Sequence, residues 1–403
     1  MRYILRILCL MLVILWTSPL PAQWVKVSTI PGTSFTVNGS NIFAGSSFGV
    51  YLSTDNGTTW TVITTGLTNT DVRALASRDT CLFAGTSGGG VFLSTNNGTN
   101  WTAASAGLGN TDVRELTVSD QYVFAGTWGN GIYRSEYPNV TWSPANVGLD
   151  DLYPLSLFFT GSQILAGVPG GVGVGVYISN DGSDWTVFGT TGLIHNGVTA
   201  LAKLEVNVFA GTKEGGIGGV FISNGGTWLE GDLNYNVEAL IVDSSFVYAG
   251  TTFNGVFLSK NFGLNWAAVN TGLTSLEVRT LAVMGGYLFA GTSPGGIWRR
   301  PLSEITSVER LPTNLPTHFS LDQNYPNPFN PATTISFSLP SKSFVSLKVF
   351  DVLGREVSTL VSEELSVGTY SWSWNAEGLA SGIYFYRLQA GTFSETKKLV
   401  LIK

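Results

Sequence analysis

Seven times in this chain an apolar run closes on the dipeptide Ala-Gly. The copies are Ala44-Gly45, Ala84-Gly85, Ala125-Gly126, Ala166-Gly167, Ala210-Gly211, Ala249-Gly250 and Ala290-Gly291, and their glycines lie 40, 41, 41, 44, 39 and 41 residues apart. A period of this size means one supersecondary unit copied along the chain, each copy burying its apolar face against the next. One copy shows the unit. Cys81–Phe83 leads into Ala84-Gly85, a Gly-rich loop follows, and a second strand runs over Gly90–Ser94. Then come a turn, a strand opened by Trp101 and a return strand of the Val72–Ala76 kind. Four strands thus fit in about 41 residues, with no helical spacing to support a helical repeat.

Four short strands in such a period make one blade of a β-propeller. Seven Ala-Gly strands predict seven blades. The Trp-led strands start at Trp24, Trp60, Trp101, Trp142, Trp185, Trp228 and Trp266, again seven. The last repeat lacks a Trp strand of its own, because the chain runs on into a linker after Trp298. The surplus strand is the first one, Trp24–Val27. It is expected beside Gly296–Arg300, where it would complete the seventh blade and remove two exposed sheet edges.

The turn before each Trp strand has its fullest form at Ser53–Trp60, reading STDNGTTW. Ser53 and Asp55 are placed to bond backbone N–H groups, Gly57 to take a positive φ, and Trp60 to fold back over the turn. This pattern resembles the Asp-box of sialidase-like propellers. STNNGTNW (Ser94–Trp101) and SKNFGLNW (Ser259–Trp266) put Asn in place of Asp. SNDGSDW (Ser179–Trp185) and SNGGTW (Ser223–Trp228) are shorter, and SEYPNVTW (Ser135–Trp142) keeps only the ends. Decay that still leaves turn-forming residues fits a structural role better than a catalytic one.

Composition limits the chemistry. Arg2 and Arg6 precede an apolar run from Ile7 to Trp16, and TSPLPA ends at Ala22, which reads as a secretory signal peptide over 1–22. Without it the chain carries 19 basic against 27 acidic residues, which gives no electrostatic reason to expect nucleic acid. Leu8 before Cys9 argues against a lipid anchor, and no later apolar run approaches a membrane span. Cys81 is the one cysteine beyond the leader, and His195 and His318 are the two histidines. No intrachain disulfide, His-based zinc site or Ser–His–Asp triad is supported, so the expectation is no metal and no cofactor.

The repeat stops after Ile305. A Pro-, Thr- and Ser-containing linker over 306–318 leads to a module of alternating strands over 319–403, on pattern a small Ig-like β-sandwich. QNYPNPFNP (Gln323–Pro331), VFDVLGREV (Val349–Val357), SGIYFYRL (Ser381–Leu388) and a Lys-containing last strand follow in order. The motif residues are Asn324, Tyr325, Pro326, Asn327, Pro328, Phe329, Asn330 and Pro331, then Gly354, Gly382 and Tyr384. With them the module resembles the type A C-terminal sorting domain of the type IX secretion system. The resemblance implies that the machinery of that system is a partner. It also implies passage through the periplasm and a final place outside the cell or on the outer-membrane surface.

The expected architecture is therefore all-β: a signal peptide at 1–22, a seven-bladed β-propeller over 23–305, a linker at 306–318 and the sorting domain over 319–403. Loops after each Ala-Gly strand and after each Trp strand should open on one face. That face would collect Phe48, Trp128, Tyr153, Lys213, Glu214, Tyr235 and Phe253, with Asp112, Asp150, Asp151 and His195. Exposed aromatics among a few polar groups suit an unidentified glycan or protein ligand. The inner strands carry Arg73, Arg114, Glu238 and Arg279 at equivalent places. The three arginines resemble the carboxylate-gripping triad of sialidases. Asp71, Asp112 and Glu277 lie two residues earlier, however, on the same side of each strand, and can pair with them. The expectation is a non-catalytic binding module. The alternative is an extracellular glycoside hydrolase, sialidase-like or xyloglucanase-like, with Asp150, Asp151 and Glu214 as candidate carboxylates. Propellers of this kind also resemble photosystem assembly proteins, against which the export signals argue.

Overall fold

In the computed structural model the described residues are 23–137, 140–169, 175–189, 191–195, 197–213, 218–305, 316, 318–340, 343–365 and 368–402. The leader at 1–22, most of the linker and Glu214 lie outside them.

Among the described residues, seven four-stranded antiparallel sheets occupy 25–301, with chain-ordered strands at 34–62, 72–103, 113–144, 156–187, 198–230 and 237–268. The seventh sheet takes three strands from 278–301 and its outer strand from the far end of the chain. Val25–Ser28 runs antiparallel to Gly296–Pro301, with Val25 opposite Arg299 and Lys26 opposite Trp298. The innermost strand of each sheet packs on that of the next, and Val278–Met284 packs on Ser34–Asn38, so the sheets form a closed ring.

No sheet has a core to itself. Phe43, Val50, Leu75, Leu82, Phe92 and Trp101 form one cluster across the first and second sheets. Ile42, Ala44, Ala282, Phe289 and Ile297 form another across the first and seventh. The repeated Ala-Gly permits this packing. A Cβ on Gly85 would sit 2.6 Å from Val113 Cγ1, on the inner strand of the next sheet. Glycine at that place lets neighbouring inner strands approach.

The turns are held by the bonds that the pattern predicts. Ser53 Oγ donates to Asp55 Oδ1 at 2.8 Å, and the N–H groups of Gly57 and Thr59 donate to Ser53 Oγ and Asp55 Oδ1 at 2.8 and 2.9 Å. These bonds hold the Asp55 carboxyl down at about 2. The Asn versions keep the cage, with Asn100 N donating to Asn96 Oδ1 at 3.0 Å and Asn265 N to Asn261 Oδ1 at 3.0 Å. The tryptophans depart from expectation. Trp60 and Trp266 do fold onto their own turns, their indole N–H groups donating to the carbonyls of Gly57 and Gly263. Trp101, Trp142, Trp185 and Trp228 instead reach the preceding sheet, donating to Ile63, Ala104, Ala145 and Phe188 carbonyls at 2.8 to 3.2 Å. Trp24 does the same toward Val269. These five are buried and tie sheets together. A buried indole N–H needs an acceptor, and the residue just past the neighbour's short outer strand offers its carbonyl.

The C-terminal residues form two further sheets. Ser320–Leu321, Ala332–Leu339 and Gly368–Asn375 make one; Glu356–Leu365, Ser343–Phe350, Gly382–Ala390 and Phe393–Leu401 make the other. They enclose a separate core containing Phe329, Phe337, Leu347, Trp374, Tyr386, Leu388 and Leu399. The Asn-Tyr-Pro-Asn-Pro-Phe run lies along the last strand. Asn324 is buried and donates to Pro326 O and Thr333 Oγ1 at 3.1 and 2.9 Å. Asn327 Oδ1 accepts from Val400 N at 2.9 Å, and Phe329 N donates to Val400 O at 3.0 Å. Pro331 O accepts from Ala376 N at 2.9 Å. Gly354 has a φ of +78° at a hairpin tip held by Asp351, Gly382 opens a strand, and Tyr384 Oη donates to Ala380 O at 2.9 Å. Pro326, Pro328 and Asn330 are exposed, and so is Tyr325.

Candidate functional site: the loop-bearing face of the ring

Alternate connections of an up-and-down sheet share an end. The loops from second to third strand and from fourth strand to the next sheet therefore open on one face. Phe48, Trp128 and Phe253 lie in loops of the first kind, Tyr153 and Tyr235 in the second, and all five are between 41% and 69% exposed. Trp128 and Tyr153 meet edge to face at 5.2 Å. Tyr235 packs on Phe257 at 5.4 Å.

The inner ring is built by a repeated irregularity. The ladder slips by one residue at Arg73, Arg114, Thr199, Glu238 and Arg279. Such bulges re-aim the extra side chain, here into an axial channel with a cavity of about 230 Å³. The charges at its mouth are paired. Arg73 binds Asp71 at 2.7 Å, and Arg114 holds both oxygens of Asp112 at 2.8 and 2.7 Å. Arg279 pairs with Glu277, Lys213 pairs with Glu238, and Thr252 donates to Glu238 at 2.9 Å. The three arginines are thus each engaged by an acid two residues earlier.

Two further described carboxylates on this face, Asp150 and Asp151, also have partners. Asp150 accepts from Tyr177 Oη at 2.9 Å, and burial together with this bond pushes the phenol up to about 12. Asp151 Oδ1 caps the turn at Tyr153 N at 2.8 Å. His195 lies 3.9 Å from Glu230 and edge-on to Phe221. No cluster of three or more potential metal ligands occurs among the described residues.

Sequence reasoning passed over Glu115. Opposite the Ala-Gly glycines, the other inner strands place Ser34, Ala74, Ser156, Ala200, Ala239 and Thr280; the third strand places Glu115 opposite Gly126. It borders the channel, and burial pushes its carboxyl up to about 8, against the backbone N–H of Leu157. Glu115 stands out as one charged residue in a column of small ones only once the strand register aligns that column.

A closed ring of four-stranded antiparallel sheets around an axial channel is a β-propeller. Solved structures share the fold. PorZ, described as an essential surface component of the type-IX secretion system of Porphyromonas gingivalis, is 18% identical with a TM-score of 0.51; the alignment covers 93% of this chain and 59% of PorZ. The GH74 xyloglucanase of Xanthomonas campestris is 16% identical with a TM-score of 0.57, over 86% of this chain and 63% of that one. YCF48, solved with a D1 peptide, is 14% identical with a TM-score of 0.51, over 70% of this chain and 96% of that one. No curated protein matches the chain significantly. Residues 323–403 match the secretion system C-terminal sorting domain, which implies export by the type IX system to the cell surface or beyond. Among the described residues no helix is long and apolar enough to cross a membrane.

Proposed function

We propose that residues 23–305 are a seven-bladed propeller of the Asp-box kind and that 319–403 are an Ig-like sandwich read by the type IX machinery. The propeller then acts outside the cell as a non-catalytic module that binds a glycan or a protein on its loop-bearing face. One observation carries this reading: five aromatics stand exposed on a face where, among the described residues, Asp71, Asp112, Asp150, Asp151, Glu238 and Glu277 are engaged by arginine, lysine, tyrosine or backbone. Glycoside hydrolysis needs one carboxyl to deliver a proton and a second to act as nucleophile or base. Asp150 and Asp151 are held in hydrogen bonds that favour a structural role, and a guanidinium already bound to its own carboxylate is a poor grip for an acidic sugar. The likeness to a xyloglucanase and to a protein solved with a peptide supports both ligand classes on one scaffold.

A glycan array read alongside reducing-sugar release tests the reading. Binding without release is expected. Hydrolysis that is abolished by Asp150→Asn or Glu214→Gln would establish the hydrolase alternative instead.

A further inference from the structure

The loops of the ring are not equivalent: three inner strands carry an acid–arginine pair, and of the other four, with Pro31 and Thr33, Tyr153 and Leu155, Gly197 and Thr199, and Asn236 and Glu238 at those places, only the fourth sheet puts an aromatic there. In the second, third and seventh sheets the inner strand opens with an acid and, two residues later, an arginine: Asp71 and Arg73, Asp112 and Arg114, Glu277 and Arg279. Where the fourth sheet begins, Tyr153 stands in the acid's place and Leu155 in the arginine's. An ion pair has been exchanged for an aromatic and an aliphatic residue. Directly across this seam the third sheet presents Trp128. The equivalent residues after the other Ala-Gly-x strands are Ser47, Ser87, Pro169, Lys213, Thr252 and Ser293.

The replacements meet in space. Trp128 and Tyr153 contact at 5.2 Å, and both stay more than two-fifths exposed. Tyr153 also lies over Gly129, where an added Cβ would be 3.2 Å from its ring. The Arg114 guanidinium lies over the Trp128 ring, 5.0 Å from its centroid. Arg114 donates through Nε and Nη2 to Asp112, which leaves its Nη1 hydrogens free of that pair. The patch therefore offers two apolar ring surfaces beside a neutral Arg–Asp pair that can both donate and accept.

Resting on the reading above, we propose that this seam is the ligand-reading spot of the face and that it takes a neutral glycan. A pyranose ring presents C–H groups on its faces and hydroxyls at its edge. The C–H faces suit Trp128 and Tyr153, and the hydroxyls, each both donor and acceptor, suit Arg114 and Asp112. Charge selects the class. Asp112 cancels Arg114, so an anionic sugar finds no unpaired cation here and would have to separate a two-bond ion pair.

The test uses the full chain on an array of neutral and acidic oligosaccharides, with titration calorimetry on the neutral sugar bound best. Trp128→Ala and Tyr153→Ala should each weaken that binding by about tenfold or more while leaving the melting temperature near that of the parent. Trp128→Phe should retain part of it. Val206→Ala, at an exposed turn on the opposite face, serves as the control. Binding restricted to acidic glycans, or none to neutral ones, overturns the proposal. The two failures are distinguishable: release of reducing ends strikes the non-catalytic reading, whereas parental affinity in both alanine variants strikes the seam alone.

Discussion

In the ring, every apolar cluster is shared between neighbouring sheets, and the last sheet is completed by a strand from the far end of the chain. In the C-terminal unit, two sheets enclose one core, and a short irregular run carrying Asn324, Asn327 and Phe329 is bonded along the last strand. The ring removes its edges by closure; the tail covers one with an asparagine- and proline-rich segment. The difference teaches where each part is vulnerable. A ring of shared cores depends on its joint, whereas the tail depends on its own interior.

The largest effect should come from opening the joint. Deleting residues 23–28 exposes the Gly296–Pro301 edge and empties the site of Trp24, so calorimetry should show the ring's transition broadened and lowered while the tail's transition stays in place. Trp24→Ala alone should cost about 3–5 kcal/mol. Phe329→Ala should cost a similar amount in the tail and leave the ring unchanged. If either variant lowers both transitions together, the two regions are not independent and the comparison breaks.

A smaller effect tests how closely the sheets approach. Gly66 has a φ of +88°, and a Cβ there would lie 2.2 Å from Trp101 O. Gly66→Ala should cost about 2 kcal/mol or more, read from urea unfolding. Gly161→Ala has a similar φ of +95° but nothing within 4 Å, so it should cost only the backbone strain. Equal losses would show that approach between sheets does not matter at Gly66.

Glu115 sharpens the same point by pH. Its carboxyl titrates near 8 when folded against 4.5 as the reference value. The fold holds a proton that the unfolded chain releases, so stability falls as pH rises from about 4.5 to 8 and then levels. Glu115→Gln removes that loss. The variant should match the parent at pH 4 and exceed it by about 2 kcal/mol at pH 8, less than full burial would give because the residue borders the channel. A constant offset across this range would refute the assignment.

The smallest effect is at the turn. Asp55 is held at about 2, below its usual 3.8, so its contribution is complete above the usual value and disappears as pH falls toward 2. Asp55→Asn should keep most of the cage, as Asn96 and Asn261 do, and should flatten this acid dependence in chemical unfolding. A large loss at neutral pH would contradict the tolerance that the repeats display.

Much of this architecture was legible before any coordinates. The period and the Ala-Gly runs marked the strands, and the surplus Trp strand pointed to Gly296–Arg300, beside which Val25–Ser28 pairs. The acid-to-arginine spacing was also legible, because two residues along a strand return to the same side. The exposed aromatics Phe48, Trp128, Tyr153, Tyr235 and Phe253 could be gathered on one face because alternation of strand direction is enough to assign loop ends. Three things were not legible. Five tryptophans reach the neighbouring sheet rather than their own turn, and a local motif cannot say which carbonyl an indole will find. Glu115 sits in a column that only the strand register aligns. The meeting of Trp128 with Tyr153 depends on how two sheets abut.

What the amino-acid order determined by itself was local and periodic: strand length, turn chemistry, pairing of near neighbours and the sorting motif, all set by interactions within a few residues. What the tertiary structure alone decided was which copies of the repeat became special. Ring closure brings residues from different repeats into contact, and the free energy of burying a carboxyl or exposing an aromatic pair depends on those contacts rather than on the residues beside them in the chain.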